Sequence, residues 1–365
     1  MVVYLILTIL TIGLAKLTVD EEAPGTRALA LNRTVCVTVF LLLFAVSALR
    51  YRVGNDYWWY TEIMHEIGVM HHEGALGIVP TEPLFNALTW VIYNATGNEN
   101  YLLVFAVMSF FTAAGFVYVI RRQADSFFLS FTMFLLLCFY FQSFSTVRYY
   151  AAMPLALMTL PHVEKGDWPR VILYVILGTL MHRTFFVILL FYPLAKLRWN
   201  KYITAAVVLV FGLCALFPEQ VMRNGYLLYP TWLNAWNQYA SFSVLNVARC
   251  ALVLLFVFWN ARREAAVRED ERIRFFTKMT FMALVMHLSL RFIPQLSRLT
   301  YYLIIPQIFL VPRVLLKISD EKARKLQTAV VLAACVLYFI RYMLHAGDDG
   351  ILVLPYRSFL FTATE

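Results

Sequence analysis

TVCVTVFLLLFAVSAL, residues Thr34–Leu49, followed at once by RYRVGNDYWWY, residues Arg50–Tyr60, decides how the rest of the chain is read. The first stretch carries no charge and is bounded by Arg33 and Arg50. As a helix it is close to the length that crosses the hydrocarbon core of a bilayer. The second stretch puts two arginines, a Gly-Asn-Asp turn and four successive aromatics where that helix should leave the membrane. Aromatic belts and arginines are both at home at that boundary. A belt does not by itself call for Arg52 and Asp56 beside such a turn.

Similar apolar runs recur along all 365 residues. With 61% hydrophobic residues and a mean hydropathy of +0.68, the chain is too apolar for a soluble domain. The expected fold is an all-α polytopic membrane protein with about 11–12 transmembrane or re-entrant helices. It forms a single membrane domain over 1–365, with extracytoplasmic segments near 51–100 and 218–243. The first run, VVYLILTILTIGLA, lacks a basic leader and a clear cleavage site, so it reads as a retained helix. The five cysteines lie in or beside apolar runs without C-x-x-C spacing, so neither disulfides nor a structural metal are expected. The net charge of +9 belongs to membrane topology rather than to nucleic acid.

Candidate spans fall near 2–17, 33–50, 101–120, 126–142, 147–161, 202–217, 244–261, 277–293, 299–316 and 327–344. Two further stretches, 171–181 and 184–195, reach only about 17 Å each as helices and cannot cross alone. Read as a hairpin with His182 and Arg183 near its tip, they place the basic stretches at 121–122, 165–170, 196–201, 262–278 and 313–325 on one side. Read as one span, they move the charged segment RREAAVREDERIRFFTK to the other side. The hairpin satisfies the charge rule better. It also puts all eight lysines on the cytoplasmic side, while the outer side holds ten basic residues, all arginines. Between Val53 and Asn100 there are six carboxylates and no Lys or Arg. Arginine offers a rigid fork for bidentate phosphate binding and lysine does not. A chain that is simply Arg-rich explains the same bias.

Several stretches carry groups able to do chemistry, and each reads two ways. Arg52 and Asp56 are a helix-end charge and its salt-bridge partner, or a phosphate ligand and a proton acceptor. Glu82, before Pro83, is a helix cap or a second carboxylate for catalysis. Arg148, in QSFSTVRYYAAMPLAL, snorkels to the surface or faces the bundle interior. His182-Arg183 between two short apolar helices is expensive to keep without a partner. In MHLSLRFIPQLSRLTYY, His287 and Arg291 are four apart and share a helix face. Arg298 follows Pro294, just before Tyr301 and Tyr302, so the two arginines flank a tight turn that is able to clamp a diphosphate, or they anchor at the interface. Tyr57, Tyr60, Tyr301, Tyr302 and Trp232 are candidate sugar platforms or parts of an aromatic belt. MHEIGVMHHEG lacks the His-Glu-x-x-His spacing of a zincin, because position 69 is Val.

Taken in order, RYRVGNDYWWY, EPLF (Glu82–Phe85), TVRYYAAMPLAL (Thr146–Leu157), MHRTFFVIL (Met181–Leu189), SRLTYY (Ser297–Tyr302) and LPYRSFL (Leu354–Leu360) resemble the EpsG-like branch of the bacterial Wzy polysaccharide polymerases. That family usually has Thr or Ser where Asn55 stands, and often Gln where Tyr149 stands. The resemblance implies a GT-C-like membrane glycosyltransferase of the inner membrane, active on its periplasmic or outer side. It implies no cofactor and no metal. Its expected partners are undecaprenyl-pyrophosphate-linked oligosaccharides as donor and acceptor, the bilayer, and a chain-length regulator protein; nucleic acid is not among them. On that reading Arg52, Arg148, Arg183, Arg291 and Arg298 bind pyrophosphate, and Asp56, then Glu82, then His182 serves as base. The alternatives are a ligase-like transferase using the same donor and a flippase of lipid-linked oligosaccharide.

Overall fold

The computed structural model describes residues 1–20, 25–72, 81–97, 99–225, 243–294 and 296–361. Among these there is no β-strand, only one isolated bridge between Arg50 and Ser358. The helices, in order, are α1 (Val2–Ala15), α2 (Thr26–Ala48), α3 (Tyr57–His72), α4 (Pro83–Thr96), α5 (Tyr101–Gln123), α6 (Phe127–Leu136), α7 (Phe139–Gln142), α8 (Val147–Lys165) and α9 (Trp168–Met181). A 3-10 turn (Arg183–Val187) leads into α10 (Ile188–Lys196), α11 (Lys201–Leu216) and α12 (Pro218–Gly225). Then come α13 (Val244–Arg263), α14 (Ala265–Arg268), α15 (Glu271–Ser289), α16 (Ser297–Ile304), α17 (Gln307–Leu316) and α18 (Glu321–Leu344). Among the described residues, five stretches are long and apolar enough to cross a membrane: α2, α5, α13, α16 with α17, and α18. The pair α11–α12, bent by 93°, makes a sixth if taken as one broken span. This is the all-α polytopic membrane architecture that the composition predicts.

The helices gather into two compact units. The first comprises Met1–Leu155, Leu180–His182 and Lys325–Glu365. Its centre is the pairing of α2 with α5, where the Ser47 and Ser109 hydroxyls meet at 2.8 Å. Such small hydroxyl residues let apolar helices approach closely and bond across the seam. At one end, the Asp20 carboxylate accepts from Arg121 at 3.3 Å and from the Phe127 amide at 3.2 Å. At the other, the C-terminal segment closes over the start of the Arg50–Tyr60 stretch. Tyr51 donates its amide to the Arg357 carbonyl (3.0 Å), Gly54 to Leu352 (2.8 Å), and the Tyr4 hydroxyl to Val353 (2.8 Å). Residues 4, 51–54 and 352–357 therefore share one end, and 20, 121 and 127 the other, as the charge pattern predicts. Gly54 has φ +101°, and a Cβ there would run into the Phe144 carbonyl, so this turn accepts only glycine.

The second unit comprises Ala156–Thr179 and Arg183–Arg324. Here α15 is the central helix, packed by α10, α11, α13, α16 and α17. The stretch 168–196 is a hairpin. The Phe185 ring lies where a Gly178 Cβ would sit. Seven residues of continuous helix would separate those two positions by about 10 Å. At the open end, Lys196 stands over the Trp168 ring (5.8 Å). Tip meets tip and end meets end, which only a reversal of the chain produces. The span 297–316 is interrupted at Ile305–Pro306, since Pro306 has no amide hydrogen for the helix ladder.

The basic segments of this unit converge. Glu164 pairs with Arg272 at 3.1 Å, and Lys278 donates to the Leu197 carbonyl at 2.6 Å. Asp270 caps α15 by accepting from the Ile273 amide (2.9 Å). It also receives Arg313 at 2.9–3.1 Å and Lys317 at 3.1 Å. Burial alone would raise the Asp270 pKa, but the bonds from Arg313, the Ile273 amide and Lys317 outweigh it and bring it down to about 2.

Outward-facing residues such as Ile9 on α1, Leu173 on α9, Leu209 on α11, Leu252 on α13 and Leu337 on α18 are exposed and apolar. That surface suits hydrocarbon rather than water.

Two outcomes follow from these packings. Gly178→Ala should lower the melting temperature of the detergent-solubilised protein, because the Phe185 ring must move; overpacking of this kind costs about 1–3 kcal/mol. Gly212→Ala in α11, with open space around its Cβ position, should instead leave stability unchanged or raise it by up to about 1 kcal/mol. A depressed carboxyl pKa adds stability above the ordinary value near 3.9 and loses it as pH falls toward about 2. The difference in unfolding free energy between wild type and Asp270→Asn should therefore be on the order of 2 kcal/mol at neutral pH. It should shrink progressively below about pH 4, read by acid titration of the melting transition.

Candidate active site

In the first unit the site is built around α8. Arg148 is the second residue of that helix and 6% exposed. Its guanidinium pairs with the Glu82 carboxylate, whose residue is 4% exposed. Glu82 occupies the N-cap of α4 in extended geometry, with Pro83 beginning the helix. Its carbonyl accepts the Phe85 and Asn86 amides at 3.1 Å each, but its side chain does not cap. Glu82 thus starts the helix through its backbone alone, and its carboxylate is turned to Arg148 instead. The guanidinium is boxed by the faces of Trp59 (5.1 Å), Phe85 (5.4 Å) and Tyr60 (5.5 Å). Flat guanidinium against ring faces is favourable, and more so when water is excluded. The Arg148 amide also donates to the Tyr60 hydroxyl at 3.4 Å.

The next residue, Tyr149, sets its ring edge-on to His182, 5.0 Å between centroids. His182 is 3% exposed, at the break between α9 and the 3-10 turn. The first unit therefore links Glu82, Arg148, Tyr60 and, through Tyr149, His182. Asp56 is half-buried, immediately before α3, and its carbonyl accepts the Tyr60 amide at 3.0 Å. Tyr57 is buried and stacked on Phe105 at 4.9 Å. Arg52 is exposed, in a left-handed conformation (φ 53°), with its guanidinium over Tyr51 and Trp58 at 4.9 Å each.

Arg50, absent from the candidates drawn from sequence, is the most deeply buried cation of this unit at 1% exposure. It donates to the Ser47 carbonyl and lies 3.1 Å from the Ser47 and Ser109 hydroxyls. Its guanidinium also faces Phe105 (4.9 Å) and Phe144 (5.2 Å). The signal for it was present in the sequence: an arginine closing a charge-free span, with serine three residues before it.

In the second unit His287 is buried near the end of α15, and its Nε2 is 3.0 Å from the Thr300 hydroxyl. Arg291 does not share its helix face. The helix stops at Ser289, and Arg291 sits exposed in the following turn. Arg298 is half-buried on α16, and its carbonyl accepts the Thr184 hydroxyl at 3.3 Å. Arg183 is half-buried at the start of the 3-10 turn. Tyr302 is wholly buried, packed on Phe185, and its carbonyl accepts the Tyr192 hydroxyl at 3.1 Å. Tyr301 is half-buried and faces Arg249 at 5.6 Å. Arg249 is a second cation that sequence reasoning left out of the site. It is 8% exposed and donates to the Asn246 side chain at 3.0 Å. An ionisable residue within the apolar run of α13 was its signal.

Trp232 lies outside the described residues. His65 pairs with Glu99 at 2.6 Å on the exposed side of α3. Among the described residues no three His, Cys, Asp or Glu side chains gather, and no disulfide joins any of the five cysteines.

The fold and this site define a polytopic helical membrane protein with a buried, aromatic-boxed arginine–carboxylate pair. The chain belongs to the EpsG family, whose profile matches residues 33–358, a range that contains every candidate named above. That membership makes it a polysaccharide polymerase-like membrane protein. No curated protein and no solved structure matches the chain.

Removing one member of a buried ion pair strands the other charge, at about 3–5 kcal/mol. Glu82→Gln and Arg148→Met should each lower the melting temperature markedly. The double variant should be less destabilised than the sum of the two, by about 1–3 kcal/mol in a double-mutant cycle. Additive losses would mean the two side chains do not interact.

Proposed function

We propose that the protein is a polysaccharide polymerase that moves a growing glycan from undecaprenyl pyrophosphate to the non-reducing end of a lipid-linked repeat unit. The observation that carries this reading is the Arg148–Glu82 pair, a buried arginine paired with a carboxylate and set among aromatic faces. A guanidinium held rigid by a carboxylate is preorganised to stabilise an anion such as a diphosphate.

In the reaction, the acceptor hydroxyl attacks the anomeric carbon of the donor. A new C–O bond forms, the C–O bond to the diphosphate breaks, and undecaprenyl pyrophosphate leaves with the electron pair. The hydroxyl proton passes to a carboxylate. With the Glu82 side chain committed to Arg148, Asp56 is assigned as that acceptor, and Glu82 orients the guanidinium. His182 orders the site through Tyr149. Arg148 and Arg52 stabilise charge on the departing diphosphate; Arg183, Arg291 and Arg298 of the second unit are the further phosphate-binding candidates. Tyr301, half-buried, suits a sugar ring, whereas Tyr57, Tyr60 and Tyr302 are committed to packing. Attack from the face opposite the leaving group inverts the anomeric centre. Guanidinium stabilisation leaves no step that requires a metal. On this reading the work is done at a bacterial plasma membrane, with the arginine-bearing ends facing away from the cytoplasm.

Purified protein given one synthetic lipid-linked repeat unit should build a ladder of longer chains. Arg148→Ala should cut ladder formation at least 100-fold, and Arg148→Lys should recover little of it, since lysine lacks the planar fork. Asp56→Asn should slow the reaction 100-fold or more at equal substrate binding. A single addition to a foreign acceptor would identify a ligase instead. Translocation without any new glycosidic bond would identify a flippase. A fully active Arg148→Ala would remove the pair from the mechanism.

A further inference from the structure

The second unit holds a cavity of about 1240 Å³ that plays no part in the proposed reaction. It lies between α13, the first half of α15 and the residues that follow α10. Its lining from α15 ends by Phe281, while His287 and Thr300 lie further along. From Lys278 to His287 is about 14 Å of helix. The two sites are separate.

The walls of this cavity have two characters. Seven of the lining side chains are cationic and three are carboxylates. The carboxylates are already engaged: Glu164 with Arg272 at 3.1 Å, Asp270 with Arg313 and Lys317 at 2.9–3.1 Å, and Glu271 with Arg274 at 3.8 Å. Lys196 and Arg198 are exposed, and neither faces a carboxylate among the described residues. The opposite wall is apolar and comes from α13, with Leu254, Leu255 and Phe258. Leu255 and Phe258 are 63% and 56% exposed on a helix that crosses the membrane, so this wall is continuous with the lipid-facing surface. Trp199, edge-on to Phe281 at 5.9 Å, stands between the two characters.

A soluble anion would use only the cationic side and leave the apolar wall in water. An apolar ligand would leave the cations unmatched. An amphiphile with a phosphate head satisfies both, and basic pockets beside membrane helices hold anionic headgroups in this way. We infer that the cavity binds an anionic phospholipid, its phosphodiester at Lys196 and Arg198 and its acyl chains along Leu254, Leu255 and Phe258. The assignment does not depend on the polymerase reading.

The test uses the full chain, delipidated in a neutral detergent, with phosphatidylglycerol, phosphatidylcholine, a polyprenyl phosphate and inorganic phosphate as separate probes. Phosphatidylglycerol should raise the melting temperature and persist as an adduct in native mass spectrometry, and phosphatidylcholine should do neither. Lys196→Gln with Arg198→Gln should weaken phosphatidylglycerol binding by about 30-fold. Leu255→Glu, at an exposed wall position, should weaken it as well and serves if the double variant folds poorly. Equal binding of phosphatidylcholine, or no loss in the variants, overturns the inference. So does a shift reproduced by inorganic phosphate, or tighter binding of the polyprenyl phosphate.

Discussion

A charge inside a bilayer-spanning bundle needs a partner, and the pairing of Arg148 with Glu82 is the constraint around which the first unit is arranged. Either group alone would carry a desolvation cost of several kcal/mol. Held together, with Trp59, Tyr60 and Phe85 against the guanidinium, they form a polar centre in an apolar surround. Meeting that requirement fixes the surroundings. Glu82 must begin α4 with its side chain turned away from the cap, and Pro83 supports that start because it has no amide hydrogen to satisfy. Tyr60 must lie on the inward face of α3, where its hydroxyl meets the first turn of α8.

The other buried arginines follow the same rule by different means. Arg50 is held by Ser47 and Ser109 hydroxyls and by two phenylalanine faces, and Arg249 by Asn246 and Tyr301. A delocalised, weakly hydrated cation can be kept beside aromatic rings, whereas the compact ammonium of lysine holds its water more tightly. This accounts for the division of the basic residues. Seven of the eight lysines sit in the segments near 165–170, 196–201, 270–278 and 317–325, and Lys16 follows α1. Among the described residues the buried cations, Arg50, Arg148 and Arg249, are all arginines. The property that lets arginine survive there also suits it to diphosphate, so burial and the proposed chemistry draw on one side chain.

Breaks in helices supply the remaining geometry. The reversal at His182 lets two helices too short to cross alone fold against one another, with Gly178 making room for Phe185. The interruption at Ile305–Pro306 divides a mostly buried span, and the turn after Ser289 ends α15 just beyond His287. Two of these breaks put functional candidates at helix ends: His182 and Arg183 at the first, Arg291 and Arg298 around the turn after Ser289. Helix ends are where side chains and backbone groups are left without intrahelical partners, and they are the natural places to receive a polar substrate in a membrane.

Much of this was legible in the linear chain. Hydropathy located most of the long apolar helices, because the thickness of a bilayer dictates the length of an apolar run, but it did not anticipate α3 and α4 within the 51–100 segment. Charge counting favoured a hairpin at 171–195 over a single span, and the ordered motifs pointed to the family. Pairing was not legible. Nothing in Glu82 or Arg148, 66 residues apart, says that they meet, because an ion pair between distant helices depends on how those helices pack. The same limit hid Arg50, whose serine and phenylalanine neighbours come from three segments. It also misplaced Arg291, whose spacing from His287 implies a shared face only if the helix continues, and it stops at Ser289. Sequence by itself determined that the chain is a helical, polytopic membrane protein, since that depends on local transfer free energy summed over apolar runs. Only the tertiary structure decided which charges are buried together, since that depends on distances no local pattern encodes.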